Sequence, residues 1–201
     1  MLKFFPFVLI LELPLQALIM LGVLRYRLLS APAPQDSRYQ PAVSCIITCY
    51  SEGEDVQKTI RSLTEQAYGG RIEMLAMVDG AQQNVATLRA LQRLESYVAA
   101  FPRRSLVVVP KVQRGGRVSS LNQGLAIARG EIVMALDGDT SFDNDMVRNA
   151  TARFVDPDVA AVSGNLRVRN ARRTLTTRLQ ALEYMLSIHL SRTGLAELNV
   201  I

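Results

Sequence analysis

The stretch ARGEIVMALDGDT, residues 128–140, decides the fold class of this chain. Its middle part, EIVMAL (131–136), is a continuous apolar run of strand length, and Asp137, Gly138 and Asp139 follow directly. A strand that is apolar on both faces is typical of a parallel sheet with helices on both sides. Ligands bind at the carboxyl ends of the strands in such sheets, so the three residues after this run are candidates for a binding site.

The same arrangement recurs on either side of this stretch. Apolar runs of strand length alternate with segments of helical period, which predicts an α/β fold with a mostly parallel sheet. Strands are predicted at 43–48, 72–78, 105–109, 131–136 and 159–164. Helices are predicted at 54–66, 85–100, 118–128, 144–154 and 174–195.

Polar residues also follow the first three strands. Tyr50 and Glu52 come after the first, Asp79 after the second, and the basic loop KVQRGGR (111–117) after the third. Carboxylates accept hydrogen bonds from bases and ribose, and arginine pairs with phosphate, so the set predicts a nucleotide site. The glycines of the loop stand at a predicted helix start, where backbone N–H groups can bind an anion. Taken alone, this loop is better explained as a solvated basic turn.

Three Asp-x-Asp triplets occur in the sequence, and one of them is predicted to bind a cation. The triplet at 143–145 opens a predicted helix, where acidic residues favour the helix dipole. The triplet at 156–158 encloses a proline and is typical of a turn. Asp137 and Asp139 end a buried strand, where two carboxylates repel each other unless a cation joins them. Magnesium commonly takes one or two carboxylates together with phosphate oxygens.

Residues 4–24 are mostly apolar and long enough to cross a bilayer as a helix. Pro6 and Pro14 are expected to kink this helix. Glu12 and Gln16 are costly when they face lipid, so a partner helix is expected. The alternative is a cleaved signal peptide with its cleavage site near residues 31–33.

The charges around the apolar segment predict its orientation and the division of the chain. Arg25 and Arg27 follow it, and the positive-inside rule therefore places the following domain in the cytoplasm. We expect a transmembrane anchor at 1–29, a proline-rich linker at 30–41 and a catalytic domain at 42–201. The predicted location is the inner (plasma) membrane, with a single amino-terminal span in this chain.

Composition excludes several classes of protein. The chain has 201 residues, of which 49% are hydrophobic and 20% charged, so it is neither disordered nor a disulfide scaffold. One histidine excludes multi-histidine metal sites within the chain. Cys45 and Cys49 are too far apart along one strand for a disulfide, so buried free thiols are predicted. The net charge of +5 suits phosphates, nucleic acid or an anionic membrane. No nucleic-acid recognition motif is present, so nucleic acid is not expected to be a partner.

The ordered set of strand-end motifs resembles the family 2 glycosyltransferases, which have a GT-A fold. The resemblance covers about residues 42–199. It is carried by Tyr50-Ser51-Glu52, Val78-Asp79-Gly80, GGRVSSLNQG (115–124), ARGEIVMALDGDT (128–140) and VSGNLRVRN (162–170). Within the family, the run at 163–192 is similar to membrane polysaccharide synthases of the poly-N-acetylglucosamine, chitin-oligosaccharide and hyaluronan type.

The resemblance implies inverting transfer of N-acetylglucosamine from a UDP-sugar donor to a growing glycan acceptor. It places Tyr50, Glu52, Asp79, Arg117 and Asp137 at the nucleotide-sugar, and Asp139 on a divalent Mg or Mn. It implies that the acceptor or transferring sugar lies near Asn165, Arg167 and Arg169. It also implies a membrane interface at the helix 174–195, for which packing on the sheet is an equal alternative.

Several positions depart from the family pattern. Ser51 and Arg114 stand where asparagine is usual, and Arg117 where lysine is usual. The family's catalytic aspartate and its Gln-x-x-Arg-Trp motif are expected beyond Ile201, so the catalytic base is unknown. We therefore expect the domain to be incomplete at its carboxyl end, and the 201 residues to be inactive in isolation.

Two alternatives remain at the level of sequence. One is non-processive transfer of a single sugar to a lipid phosphate, which uses the same nucleotide motifs. The other is a non-catalytic membrane fragment that binds a nucleotide-sugar or a partner, such as an additional membrane subunit.

Overall fold

The computed structural model describes residues 5–29 and 38–198. They form two compact units, one of residues 38–162 and one that combines 5–29 with 163–198. Most of the predicted linker, the candidate cleavage site and the last three residues of the chain lie outside the described residues.

The unit of residues 38–162 is built on a parallel four-stranded sheet in the order β3-β2-β1-β4. Its strands are β1 (Val43–Cys49), β2 (Ile72–Val78), β3 (Arg104–Pro110) and β4 (Ile132–Asp137). These agree with four of the predicted strands to within one residue at each end. Because neighbouring strands are parallel, their carboxyl ends meet at one edge, where Cys49 pairs with Val78 and Thr48 with Asp137.

The fifth predicted strand, at 159–164, is wrong. This segment has irregular backbone, is largely exposed, and pairs with no strand in the described part of the chain. Its apolar pattern resembles a strand, but alanine, serine and glycine make up most of it and have weak strand preference. A strand also needs a partner for its backbone groups, and sequence pattern alone does not supply one.

Helices connect the strands and form most of the second unit. In chain order they are α1 (Leu13–Leu29), α2 (Val56–Thr64), α3 (Val85–Gln92), α4 (Glu95–Ala99), α5 (Gly116–Ile127), α6 (Met146–Thr151), α7 (Leu175–Tyr184) and α8 (Ser191–Glu197). The single helix predicted at 85–100 is thus two helices. A π-helical segment, Met185–Leu190, joins α7 to α8, so the predicted helix at 174–195 is helical throughout.

The main core lies on one face of the sheet. Every second residue of β1, from Val43 to Cys49, points into it and is fully buried. The apolar positions of α2, spaced three and four apart, pack against this face as the sequence predicts. They are Val56, Ile60 and Leu63.

The opposite face carries a smaller core beneath α5. Ile46, Leu75 and Met77 are buried there. Gly124 of α5 lies so close to this face that a Cβ atom would collide with the side chain of Ile46. This close approach fixes α5 on the sheet, so helices cover both faces as predicted.

The second unit pairs the amino-terminal helix with the last one. Val8–Leu29 is long and apolar enough to cross a membrane, a test that signal sequences also pass. Gly22 of α1 meets Gly194 of α8 so closely that a Cβ at either glycine would collide with the other helix. Arg25 Nε lies 3.3 Å from Glu197 Oε1 at the same contact. α8 is therefore a helical partner of α1 at this contact, whereas Glu12 and Gln16, for which a partner helix was expected, are exposed.

A π-helical segment, Val8–Glu12, directly precedes α1. The N–H of Leu13 donates to the carbonyl of Val8, five residues back. Pro14, which follows, has no N–H to donate and disturbs the regular ladder. A π-helical widening of this kind, immediately before Pro14, is one way in which a helix accommodates a proline.

Candidate functional site

A cavity of about 320 Å³ opens at the carboxyl edge of the sheet. Six residues predicted from the sequence to serve one nucleotide-sugar line it together. They are Tyr50, Glu52, Asp79, Arg117, Asp137 and Asp139. The fold therefore brings side chains that are distant in sequence to one place.

Asp79 is the buried carboxylate of this site, and Lys111 is its partner. Lys111 Nζ lies 2.7 Å from Asp79 Oδ1, and both side chains are more than nine-tenths buried. The ammonium group also donates to the hydroxyls of Ser119 and Ser120, at 3.1 and 2.9 Å. Sequence reasoning singled out Asp79 and missed Lys111.

The N-terminus of α5 is occupied by the same carboxylate. The N–H of Gly115 donates to Asp79 Oδ1 at 2.9 Å, and that of Gly116 donates to Oδ2 at 2.8 Å. The anion at this helix start is thus a side chain of the protein. The glycine loop tethers β2 to α5, and these two N–H groups are already used.

The hydrogen bonds outweigh the cost of burying Asp79. Burial alone would raise the pKa of this carboxyl, because it penalises the charged form. The donors on Gly115, Lys111 and Gly116 act in the opposite sense and hold the pKa of Asp79 below its usual value. Asp79 is therefore ionised at neutral pH and organises the loop around it.

Glu52 presents a carboxylate oxygen that has no partner. Its Oε1 accepts from the N–H of Tyr50 at 2.7 Å. Its Oε2 is buried and no donor reaches it among the described residues. An unpaired buried acceptor is costly, so this oxygen is available to an N–H or O–H of a ligand in the cavity.

Ser51 forms the turn that directs Glu52 into the cavity. Its φ is +70°, a left-handed conformation that few residues other than glycine adopt easily. Asparagine tolerates this conformation better than serine does. The departure of Ser51 from the usual family residue therefore has a conformational cost.

Tyr50 and Arg114 form one wall of the cavity. The guanidinium carbon of Arg114 lies 4.1 Å from the centre of the Tyr50 ring. A guanidinium group at this distance from an aromatic ring is attracted to it by a cation–π interaction. Arg114 was noted from the sequence as a departure from the family, without a role.

Asp137 and Asp139 stand at the end of β4. Asp137 Oδ1 lies 3.1 Å from Arg117 Nη2, and Thr48 Oγ1 donates to the same oxygen at 3.4 Å. Asp139 Oδ1 accepts from Thr140 Oγ1 at 3.2 Å. Both carboxylates border the cavity, and neither is buried.

Gly138, between the two aspartates, lies tightly against the protein's own residues. A Cβ here would lie 3.1 Å from Cys49 Sγ and from the carbonyl oxygen of Thr48, and 3.3 Å from Glu52 Cδ. Its carbonyl accepts from Thr59 Oγ1 at 2.8 Å. The close approach expected here for a ligand or metal is thus made by the end of β1.

The charged groups at the cavity are more acidic than basic. Four carboxylates and two guanidinium groups line it, and Lys111 pairs with one of these carboxylates, Asp79. Among the described residues no group of three histidine, cysteine, aspartate or glutamate side chains is arranged to hold a metal. Asp137 and Asp139 fit a divalent cation that takes the rest of its oxygens from phosphate.

The other acidic triplets lie at a helix start and in a turn, as predicted, although the side chain of Asp145 makes no capping hydrogen bond. Asp145 is the residue that begins α6 and pairs with Arg148, one turn further on, at 2.9 Å. Asp156 Oδ1 accepts from the N–H of Asp158 at 3.0 Å, which forms a turn. Neither triplet lies at the cavity.

Asn165, Arg167 and Arg169 belong to the second unit. They lie in irregular backbone ahead of α7, and all three are exposed. Their assignment to the acceptor side stays a prediction.

The two cysteines are buried free thiols, as predicted. Burial raises the pKa of Cys45 to about 12, although Arg104 opposes this shift. Burial also raises the pKa of Cys49 strongly, and Glu52 adds to it. Both groups are therefore protonated and face the main core.

A second cavity, of about 330 Å³, lies at the amino-terminal edge of the sheet. Arginines line this cavity, but the largest set of hydrogen bonds that they make stabilises the fold. The guanidinium group of Arg104 donates to main-chain carbonyls of Thr64, Gln66, Tyr68 and Gly70. These bonds hold the connection between α2 and β2, so Arg104 is committed to the fold.

The names of curated relatives of this chain refer to one sugar, N-acetylglucosamine. An N-acetylglucosaminyltransferase of Rhizobium sp. (strain N33) is 27% identical over 175 residues, which cover 85% of this chain and 38% of the relative. A poly-beta-1,6-N-acetyl-D-glucosamine synthase of Staphylococcus aureus (strain COL) is 28% identical over 143 residues, covering 71% and 32%. The chain spans well under half the length of these relatives.

A solved structure confirms the GT-A fold. The mannosyltransferase of Pyrobaculum calidifontis in complex with GDP-Man and Mn²⁺ is 25% identical, with a TM-score of 0.56. The likeness covers 78% of this chain and 48% of the other. The model of one family, glycosyl transferase family 2, matches residues 44–198, which include all of the sheet except Val43 and every residue that lines the cavity. This chain belongs to glycosyl transferase family 2.

Proposed function

We propose that the chain is the donor-binding part of a membrane glycosyltransferase that transfers N-acetylglucosamine from UDP-N-acetylglucosamine to a growing polysaccharide, with inversion. The observation that carries the proposal is the cavity at the carboxyl edge of the sheet, which gathers the six predicted side chains. Membership of the family supports the reaction class, and the names of the two relatives support the sugar.

The nucleoside end of the donor is assigned to the side of the cavity formed after β1. Glu52 Oε2 is a buried acceptor without a donor, which suits an N–H of uracil or a ribose hydroxyl. Tyr50 and Arg114 supply a flat wall beside it. Asp79 supports this side by holding the glycine loop, and its contact with the donor is part of the proposal.

The diphosphate end is assigned to Arg117, Asp137 and Asp139. Asp139, with Asp137, would hold Mg²⁺ or Mn²⁺, and a bound divalent cation neutralises charge on a leaving diphosphate. Arg117 is exposed enough to reach a phosphate oxygen and pair with it. The excess of carboxylates in the cavity supports the requirement for a cation.

Transfer with inversion needs an acceptor hydroxyl on the sugar face opposite UDP. The hydroxyl oxygen bonds to the anomeric carbon as the bond to the diphosphate oxygen breaks. A carboxylate takes the hydroxyl proton. We assign this base to the part of the enzyme beyond Ile201, and the acceptor to the side of Asn165, Arg167 and Arg169.

The membrane part of the proposal rests on the second unit, which combines residues 5–29 and 163–198. Val8–Leu29 can span a bilayer, and the arginines after it favour a cytoplasmic catalytic domain. Leu175, Leu179, Leu182 and Leu186 are exposed along one face of the helix that includes α7. An apolar face of this kind suits the membrane interface. An additional membrane subunit is a further partner in this proposal.

The test is donor binding by the intact protein in detergent, measured by calorimetry with and without Mn²⁺. We expect UDP-N-acetylglucosamine to bind only weakly without Mn²⁺, and Asp139→Asn to abolish the effect of Mn²⁺. Asp143→Asn, in another acidic triplet, is the matched control and should bind as the wild type does. Tighter binding of GDP-Man would overturn the assigned donor, and full Mn²⁺ dependence in Asp139→Asn would overturn the assigned metal ligand.

A further inference from the structure

We infer that Arg117 is a positioning residue that occupies Asp137 until a nucleoside diphosphate draws it away, so that the nucleotide and the divalent cation strengthen each other's binding. The inference rests on the proposed function. It concerns the contact between Arg117 Nη2 and Asp137 Oδ1, which are 3.1 Å apart. The two side chains are 58% and 53% exposed, so the pair can open without disturbing the core.

We call the movement of Arg117 from Asp137 to a phosphate the exchange. Arg117 is suited to it because the other cationic groups around the cavity are held by partners that are not candidate cation ligands. Lys111 is buried and bonded to Asp79 and two serines. Arg114 lies over the ring of Tyr50. Arg117 instead bonds to a carboxylate that is itself a candidate cation ligand, and it extends from the first turn of α5.

Without nucleotide, Arg117 and a divalent cation therefore compete for one carboxylate. The positive guanidinium both shares Asp137 Oδ1 and repels a second cation nearby. A diphosphate offers the guanidinium a second anionic partner with suitable geometry. Once Arg117 moves to the phosphate, Asp137 is free for the cation. Linkage then requires that each ligand increases the affinity for the other.

The experiment measures the Kd of Mn²⁺ by electron paramagnetic resonance, with the intact protein in detergent and with or without UDP. Binding of Mn²⁺ to free UDP is measured separately and subtracted. Arg117→Ala should bind Mn²⁺ alone about two- to fivefold more tightly, since an exposed ion pair is lost. It should bind UDP in the presence of Mn²⁺ about tenfold more weakly, since a charged hydrogen bond is lost. The two affinities thus move in opposite directions.

Two variants serve as controls. Arg148→Ala removes a pair of the same kind, Arg148–Asp145 at 2.9 Å with similar exposure, away from the cavity. It should leave both affinities unchanged. Arg117→Lys keeps the charge without the planar fork, and should restore most of the UDP affinity and part of the coupling.

The outcomes separate this inference from the proposed function. If the wild type binds both UDP and Mn²⁺, but Arg117→Ala weakens or leaves unchanged the binding of Mn²⁺ alone, the exchange is overturned while the proposed function stands. If the wild type binds neither ligand, the proposed function fails and the exchange fails with it. Opposite shifts in Arg117→Ala, absent in Arg148→Ala, support the exchange.

Discussion

Lys111 and Asp79 are the first residues beyond two neighbouring strands, and they form a buried ion pair at 2.7 Å. The strand register places the two residues side by side. Val78 pairs with Pro110, so the next residue on each strand stands at the same height above the sheet. The pair joins β2 to β3 directly beneath the glycine loop that begins α5.

Removing one partner of this pair should severely destabilise the unit of residues 38–162. We expect Lys111→Met to lower the free energy of unfolding by about 3–5 kcal/mol, because Asp79 is then a buried charge without its ammonium partner. Urea unfolding, followed by the exposure of the two buried thiols, measures this loss. Lys58→Met breaks the exposed Lys58–Asp55 pair and should cost no more than about 1 kcal/mol. Equal losses in the two variants would contradict a special role for the buried pair.

The lowered pKa of Asp79 predicts how stability depends on pH. The unfolded carboxyl titrates near its ordinary value of 3.8 and the folded one below it. The contribution of Asp79 is therefore complete above that pH and is lost as the pH falls through the folded pKa. Melting temperatures of the wild type and Asp79→Asn should converge as the pH falls below about 4. A difference that stays constant from pH 7 to pH 3 would show that ionisation of Asp79 is not the cause.

The left-handed conformation of Ser51 predicts a stabilising substitution. We expect Ser51→Asn to increase stability by about 0.5 kcal/mol, because asparagine adopts positive φ at lower cost. Thermal unfolding of the intact protein measures the change. Ser51→Ala is the control at the same position and should be neutral or slightly less stable than the wild type. The idea is wrong if asparagine and alanine have the same effect.

Burial of the cysteines predicts that both are unreactive in the native state. Thiolate is the reactive form, and the raised pKa values of Cys45 and Cys49 leave almost none at pH 8. Iodoacetamide at pH 8 should therefore label neither thiol before unfolding and both after it, as read by intact mass. Rapid native labelling of Cys49 would indicate that the end of β1 opens towards the cavity.

Much of the fold could be predicted because local pattern and global architecture agree. The strands that became β1 and β2 are apolar at nearly every position, and the structure buries almost all of their side chains. The segment at 159–164 shares that pattern, yet it forms no strand, since pairing depends on a neighbour that composition does not reveal. Sequence periodicity likewise did not show the break between α3 and α4.

The candidate site could be predicted in its membership but not in its bonding. Placing polar residues at strand ends identified six side chains that share the cavity. Lys111 was overlooked, although it stands one residue past β3 just as Asp79 stands one residue past β2, and this shared position was the available signal. Asp79 accepts hydrogen bonds from the N–H groups at the start of α5 because the glycine loop has the right conformation. The spacing of residues in the sequence does not determine that conformation.

The contact between Gly22 and Gly194 also sets an order of events during synthesis. α1 leaves the ribosome first, and its partner α8 is made only after the whole sheet unit. At ordinary rates of translation the delay is roughly ten to thirty seconds. The parallel sheet can therefore form while the glycine face of α1 still lacks its helical partner. Docking of α8 on α1 therefore follows the synthesis of the parallel sheet.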